Sequence, residues 1–368
     1  MTQVDFTATE LLTSHRYEEP LLAAGVRCHG GFDDDGTYVS PRTLHRLPAI
    51  RAWQAQHAAR FGTDLLDVPL ATWPEHYPDV AQGRVLIDAG VPEPIISTLT
   101  RSCTVEGFGA MLRFSVVPEL QRCFDEDVRG TAMAHLDGGL YEAHARDEAG
   151  HAEEAGHDRM WFAARDIAFE NPVTEDETAT MLGRMGITGA GGAPPSRARM
   201  REAAAVRRLL PADVDLDLEL LIERMIRLLL IEISAFHAFA WAEELLGDPD
   251  LVAGDGEGAR LVSYIRSDET PHVAYLKTVL TEMRDRTFVG MSGRHHAGTD
   301  LVGRLWSRAL DESLGERRIQ ALDTTLAEVT HAIGPRRDRA ELLERFHAAG
   351  SVRPGADGDW VATGTAAA

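Results

Sequence analysis

Two short stretches carry the same signature. Tyr141–His151, YEAHARDEAGH, contains Asp147, Glu148 and His151, and Ser267–His272, SDETPH, contains Asp268, Glu269 and His272. Each reads Asp-Glu-x-x-His. Residues three apart on a helix share a face, so each Glu and its His can address one object. A carboxylate paired with an imidazole in this way suits a metal ion. One Glu-x-x-His arises easily by chance in a chain with 58 acidic residues and 15 histidines. Two copies, each with Asp directly before the Glu, are far less accidental.

Each copy follows an isolated carboxylate in an apolar stretch. Glu232 is the only formally charged residue in LLLIEISAFHAFAWA, Leu228–Ala242. Glu106 sits in TVEGFGAML, Thr104–Leu112, with Arg113 two turns later. Burying an unpaired carboxylate is costly, so such a residue calls for a cation. The intervals from Glu106 to Glu148 and from Glu232 to Glu269 each fit helix, turn and antiparallel helix. The metal-ligand candidates are therefore Glu106, Glu148 and His151 in one half, and Glu232, Glu269 and His272 in the other. Two carboxylate helices and two Glu-x-x-His helices projecting inward form the ligand set of a dinuclear iron or manganese bundle.

On these motifs the chain resembles the ferritin-like di-iron oxygenases and oxidases over roughly Pro92–Arg284. Its Asp-Glu-x-x-His form is similar to that of the p-aminobenzoate-type arylamine N-oxygenases and of the soluble acyl-carrier desaturases. The resemblance implies an all-α fold: a ferritin-like four-helix bundle with additional N- and C-terminal helices. It also implies a homodimer. Metal-bound imidazole usually donates its other N–H to a carboxylate. In the families resembled, the Asp of one motif serves the His of the other, which would pair Asp147 with His272 and Asp268 with His151. His144, one turn before Glu148, is similar in kind to the extra histidine ligand of the N-oxygenases. There that histidine belongs to the second motif, where this chain has Ile265, so His144 stands as either a ligand or a pocket histidine.

The elements that must position these residues follow from local signals. Residues 1–90 form an N-terminal segment with one helix, Ser40–Phe61, capped by Ser40 with Pro41 at its first position. CHGGFDDDGTY, Cys28–Tyr38, reads as a solvated loop, since its Asp cluster lacks the spacing of a calcium loop. The core is expected over 91–285. One long helix runs from Pro92 to near Pro118, and Asp125–Ala168 is mostly helix with a kink at Gly138-Gly139. Asp213 or Asp215 caps a helix to about Leu246. Gly258–Arg284 is the fourth helix, distorted at Pro271. A connector at 171–212 holds a short helix in PVTEDETATM and a Gly/Pro-rich stretch, Gly186–Ser196. Helices over Ala297–Leu314, Glu316–Ile333 and Arg336–Ala348 cover the core within 286–350, and 351–368 is a frayed tail. No segment has strand periodicity.

Composition narrows the function. A net charge of −21 and a pI near 5.1 exclude a nucleic-acid partner, which needs a basic patch, and an anionic membrane surface. Cys28, Cys103 and Cys123 form no CxxC and suggest a reducing compartment without structural zinc. With no secretory pattern and no uninterrupted apolar span, the expected location is cytoplasmic. Iron suits mixed carboxylate and imidazole ligands. The expected cofactors are two iron ions (Fe2+/Fe3+), or a manganese–iron pair, with O2 as co-substrate and an external electron donor. The expected activity is an O2-dependent oxygenase or oxidase on a small organic molecule, including amine N-oxygenation. A desaturase on a carrier-tethered chain, docked through Arg199, Arg201, Arg207 and Arg208, is the alternative. A non-enzymatic iron store or redox protein is the third reading.

Overall fold

The computed structural model describes residues 4–169, 197–355 and 359–363. The short helix expected in PVTEDETATM, the stretch Gly186–Ser196 and parts of the tail lie outside the described residues. The protein is mostly helical.

Its longest helix, Leu216–Leu246, spans 31 residues. The Asp215 side chain accepts the Asp217 N–H at 2.8 Å and caps it. The helix is apolar nearly all round, as befits an element covered on several sides. By length and composition alone it is the one described helix that could cross a membrane, but half of its apolar window is buried inside the protein. Against it pack Glu257–Asp268, Thr270–Arg284 and Gly298–Leu314. His157–Ala168 lies between Glu93–Phe108 and Glu257–Asp268, and Tyr141–Ala149 packs on the turn that ends the Glu93–Phe108 helix.

The apolar interior is divided in two. One cluster gathers Trp53, Met225, Leu229, Ile233 and Val279; the other gathers Leu99, Trp161, Phe239, Leu245 and Ile265. The long helix feeds both, its N-terminal half one and its C-terminal half the other, with Glu232 at the changeover.

Several expected elements are corrected. Strands do occur. Glu19–Ala23 and Val26–Phe32 pair antiparallel around Ala24-Gly25, and Tyr38–Val39 adds a third strand. Both turn residues have positive φ, the geometry of a tight hairpin. Gly30-Gly31 interrupts the alternation that would have marked the second strand. Two further hairpins join Thr287–Val289 to His295–Ala297 and Val352–Pro354 to Trp360–Ala362. The helix expected from Ser40 begins at Arg46. Arg42 at φ 51° cannot belong to a right-handed helix, and Thr43 Oγ1 instead ties back to the Ser40 carbonyl at 2.8 Å.

The helices also break where single ones were expected. The Glu93–Phe108 helix tightens to a 3-10 turn over Gly109–Phe114. Within Asp125–Ala168, Gly139 at φ 135° interrupts the chain, and Gly150 at φ 76° ends the Tyr141–Ala149 helix. A new helix starts at His157. Gly258–Arg284 is two helices that meet at Glu269, with Pro271 at the second position of the latter.

Trp53 anchors the N-terminal segment. It is fully buried, and its indole N–H donates to the Val4 carbonyl at 3.0 Å. Trp53→Ala should cost about 3–5 kcal/mol, read as a lower denaturation midpoint with an unchanged slope.

Candidate metal centre

At the junction between the two apolar clusters the chain collects glutamates and histidines. Two sets that share Glu148 each offer ligand atoms within 4.8 Å of one another, His144, Glu148, Glu232 and His272, and Glu106, Glu148, His157 and Glu269; a third set, His29, His157 and Asp268, adjoins them through His157. All but Glu106 are buried; Glu106 is half-buried. Five of the six candidates from the two motif halves meet here, and His144 joins them.

The sixth does not. His151 is exposed, its backbone paired with Glu154, because Gly150 turns the chain out of the helix two residues after Glu148. The imidazole that faces Glu148 is His157, the first residue of the next helix, with Nδ1 at 3.5 Å from Glu148 Oε2 and 3.0 Å from Glu269 Oε1. The intervening loop is fixed by contact: a Cβ on Gly156 would lie 2.3 Å from the Gly150 nitrogen. His157 therefore carries no motif spacing to reveal it.

Glu148 spans the centre. Its Oε1 lies 3.2 Å from His144 Nε2 and 3.3 Å from His272 Nδ1, and its Oε2 faces His157. Glu269 spans it too, Oε2 lying 2.6 Å from His272 Nδ1. Glu232 closes one end with Oε1 at 3.1 Å from His144 Nε2. Glu106 closes the other, its Oε1 accepting the Trp161 indole N–H at 3.2 Å. The rings of His144 and His272 stack at 3.6 Å, and His144 Nδ1 pairs with the Tyr275 hydroxyl at 2.9 Å. Gly109 makes room for Glu148, since a Cβ there would lie 2.2 Å from Glu148 Cγ.

Some of these atoms are hydrogen-bonded, as Glu269 Oε2 is to His272, but four approach their neighbours without bonding. Both Glu148 oxygens, Glu269 Oε1 and His157 Nδ1 are buried with no hydrogen-bond partner among the described residues. Buried polar atoms are normally paired. Lone pairs turned toward common points, and not toward donors, are what cation ligands require. Carboxylate and imidazole donors in this ratio fit iron or manganese.

Behind these candidate ligands, two of the three histidines use the far nitrogen on an aspartate. His272 Nε2 meets Asp147 Oδ2 at 2.9 Å, and His157 Nε2 meets Asp268 Oδ2 at 3.3 Å. Asp268 thus serves His157 in place of the expected His151. Asp147 also receives Arg42 Nε at 2.6 Å and Arg46 at 2.7 Å. Asp268 receives the Tyr38 hydroxyl at 2.9 Å and faces His29 Nε2 at 3.3 Å. Sequence reading missed His29, Tyr38, Arg42 and Arg46. They come from the strand–turn segment and the start of the helix at Arg46, and no local pattern links them to residues more than a hundred positions away.

The electrostatics show the strain of gathering these groups. Burial, then the charges of Glu106 and Glu269, push the Glu148 carboxyl far above its ordinary range. Burial and Glu232 do the same to Glu269. Burial also opposes ionisation of Glu232, but its contact with His144 overrides that and holds it at about 2. Burial would lower His157, yet Glu269 and Glu148 raise it well above the usual imidazole value. His272 falls to about 3 through burial and the neighbouring His144. Asp147, despite burial, is held well below its normal value by the two guanidiniums. One or more cations would relieve this crowding of carboxylates directly.

No protein-family model matches the chain, and neither a curated protein nor a solved structure matches it.

His157→Ala should weaken metal uptake at least ~10-fold, while His151→Ala leaves it unchanged, as read by competition with a chromophoric chelator. Equal loss in both would return the ligand role to His151. Gly109→Ala should displace Glu148 and lower metal stoichiometry while circular dichroism keeps its helical signal.

Proposed function

We propose that the protein is a di-iron, O2-activating oxidoreductase acting on a small organic substrate, built on a ferritin-like bundle with added terminal elements. The observation that carries this reading is Glu148, whose two buried, unpaired oxygens each face a different histidine set. A carboxylate shared by both sets would help to hold a metal at either one. When bound, an iron pair supplies the electrons for O2 reduction, replenished by an external donor.

The chain's own residues do the rest. Glu106, Glu148, Glu232 and Glu269 offer four negative charges to offset two divalent ions. His144, His157 and His272 supply nitrogen donors, and Asp147 and Asp268 fix the ring orientation of His272 and His157. The two apolar clusters on either side keep water from the buried face.

An organic substrate is favoured over iron storage by what surrounds the outer side. The stretches that carry Glu106 and Glu232 expose Val105, Phe108, Met111, Phe114 and Ile231. A cleft of about 1110 Å³ reaches Leu112, three residues after Gly109, and Ile231, next to Glu232. The cleft wall itself is mixed, with Glu219, Glu223, Arg224 and Arg227 beside Leu216, Ile226 and Leu228, so it is the exposed apolar side chains near Glu106 and Glu232, and not the cleft, that suit a carbon skeleton. Docking of an acidic carrier is less well supported, because Arg201 pairs with Asp217 and Arg208 with Glu219.

Anaerobic loading should give about two iron ions per chain, and Glu232→Ala should lower that number while the helices persist. Loaded protein with a reductant should then consume O2 faster with members of a small apolar amine panel than without. Less than one iron per wild-type chain sinks the metal reading. Two irons with mineralisation of many more, and no substrate-dependent O2 uptake, would make it a store.

A further inference from the structure

Resting on the di-metal reading, the structure carries a difference between the two positions that the motifs hide. The position formed by His144, His272, Glu148 and Glu232 has two imidazoles; the one formed by Glu106, Glu148, His157 and Glu269 has one imidazole and three carboxylates. The groups behind them widen the difference. Asp147, behind His272, is a single carboxylate facing two buried guanidiniums, Arg42 and Arg46. Arg46 is fully buried, and its Nε and Nη1 have no hydrogen-bond partner among the described residues, so its charge is not matched elsewhere in its surroundings. Counted together, Asp147, Arg42 and Arg46 leave one net positive charge behind His272.

Asp268, behind His157, receives neutral donors. Tyr38 gives its hydroxyl at 2.9 Å, and the Asp268 Oδ1 atom has no hydrogen-bond partner among the described residues. His29 faces it at 3.3 Å, and Arg42 reaches this side only through His29, at 3.2 Å from His29 Nδ1. With a metal at its Nδ1, His157 adds no charge of its own. A full negative charge therefore stands behind His157. Close charges in a buried setting act strongly and are little screened by salt.

We propose that residues 29–46 sort two ions by charge: the more highly charged ion takes the Glu106/His157/Glu269 position, and the less highly charged one takes the His144/His272/Glu232 position. The two ends of a mixed-valent pair are thus assigned by the N-terminal segment, through the Arg42 and Arg46 charges behind His272, which have no counterpart in the Tyr38 hydroxyl behind His157.

Redox-inert probes test the assignment without turnover. The metal-free protein is given one equivalent each of Ga(III) and Mn(II), and nitrogen couplings of Mn(II) are read by electron–nuclear double resonance. Two imidazole nitrogens on Mn(II), one of them lost in His144→Gln, are expected, with a preference of ~10-fold or more for that placement. Mn(II) with a single imidazole, or an even mixture, overturns the proposal while leaving the metal reading intact. Protein that takes up neither ion removes both. Arg46→Gln, or Arg42→Gln if the first does not fold, should move the placement toward an even mixture. Tyr38→Phe, which removes only a neutral donor, should keep it. The reverse pattern, scrambling by Tyr38→Phe alone, would also overturn the role of charge.

Discussion

Four glutamates and three imidazoles cannot share a dry interior unless something reconciles their charges. That constraint explains most of the architecture. The protein does not bury one continuous apolar core; it builds two and places the polar groups in the seam between them. The Leu216–Leu246 helix runs across the seam and delivers Glu232 there. Glu257–Asp268 lies on one side and Thr270–Arg284 on the other, so that Asp268 and Glu269 fall at their meeting point.

The seam is also where the helices give way. Glu148 is followed by the Gly150 turn, Glu269 sits between two helices, and Glu106 comes just before the 3-10 turn at Gly109. An unbroken helix would send neighbouring side chains around its axis at fixed intervals. Each interruption lets a candidate ligand and its partner take directions that regular spacing forbids. The clearest case is His157, which lies beside Glu148 only because the chain leaves one helix and begins another.

What could be read in the sequence follows from this. The paired Asp-Glu steps and the lone glutamates in apolar runs were legible, because burial of a charge leaves a visible contrast in composition. Glu269 with His272 kept its three-residue spacing through the break, since Pro271 fits the first turn of the new helix. Glu148 with His151 did not, since the signal of the Gly150 turn is a single glycine in a helical pattern. The supports of the two aspartates were illegible for another reason. His29 and Tyr38 belong to short strands whose glycines mask the alternation, and Arg42 and Arg46 look like ordinary surface cations until tertiary structure buries them. The mostly helical character was plain from the periodic segments, whereas strands of two to seven residues leave too little pattern to detect.

The hydroxyl of Tyr38 and the carboxylate of Asp268 are 230 positions apart in the chain. A ribosome making this protein releases the Tyr38 hairpin long before the helix that it must grip exists. Completing the centre therefore requires loops of great length to close. Until then the early segment holds Arg42, Arg46 and His29 without their later partners, and a nascent chain cut short anywhere before Glu269 has no means of completing the site.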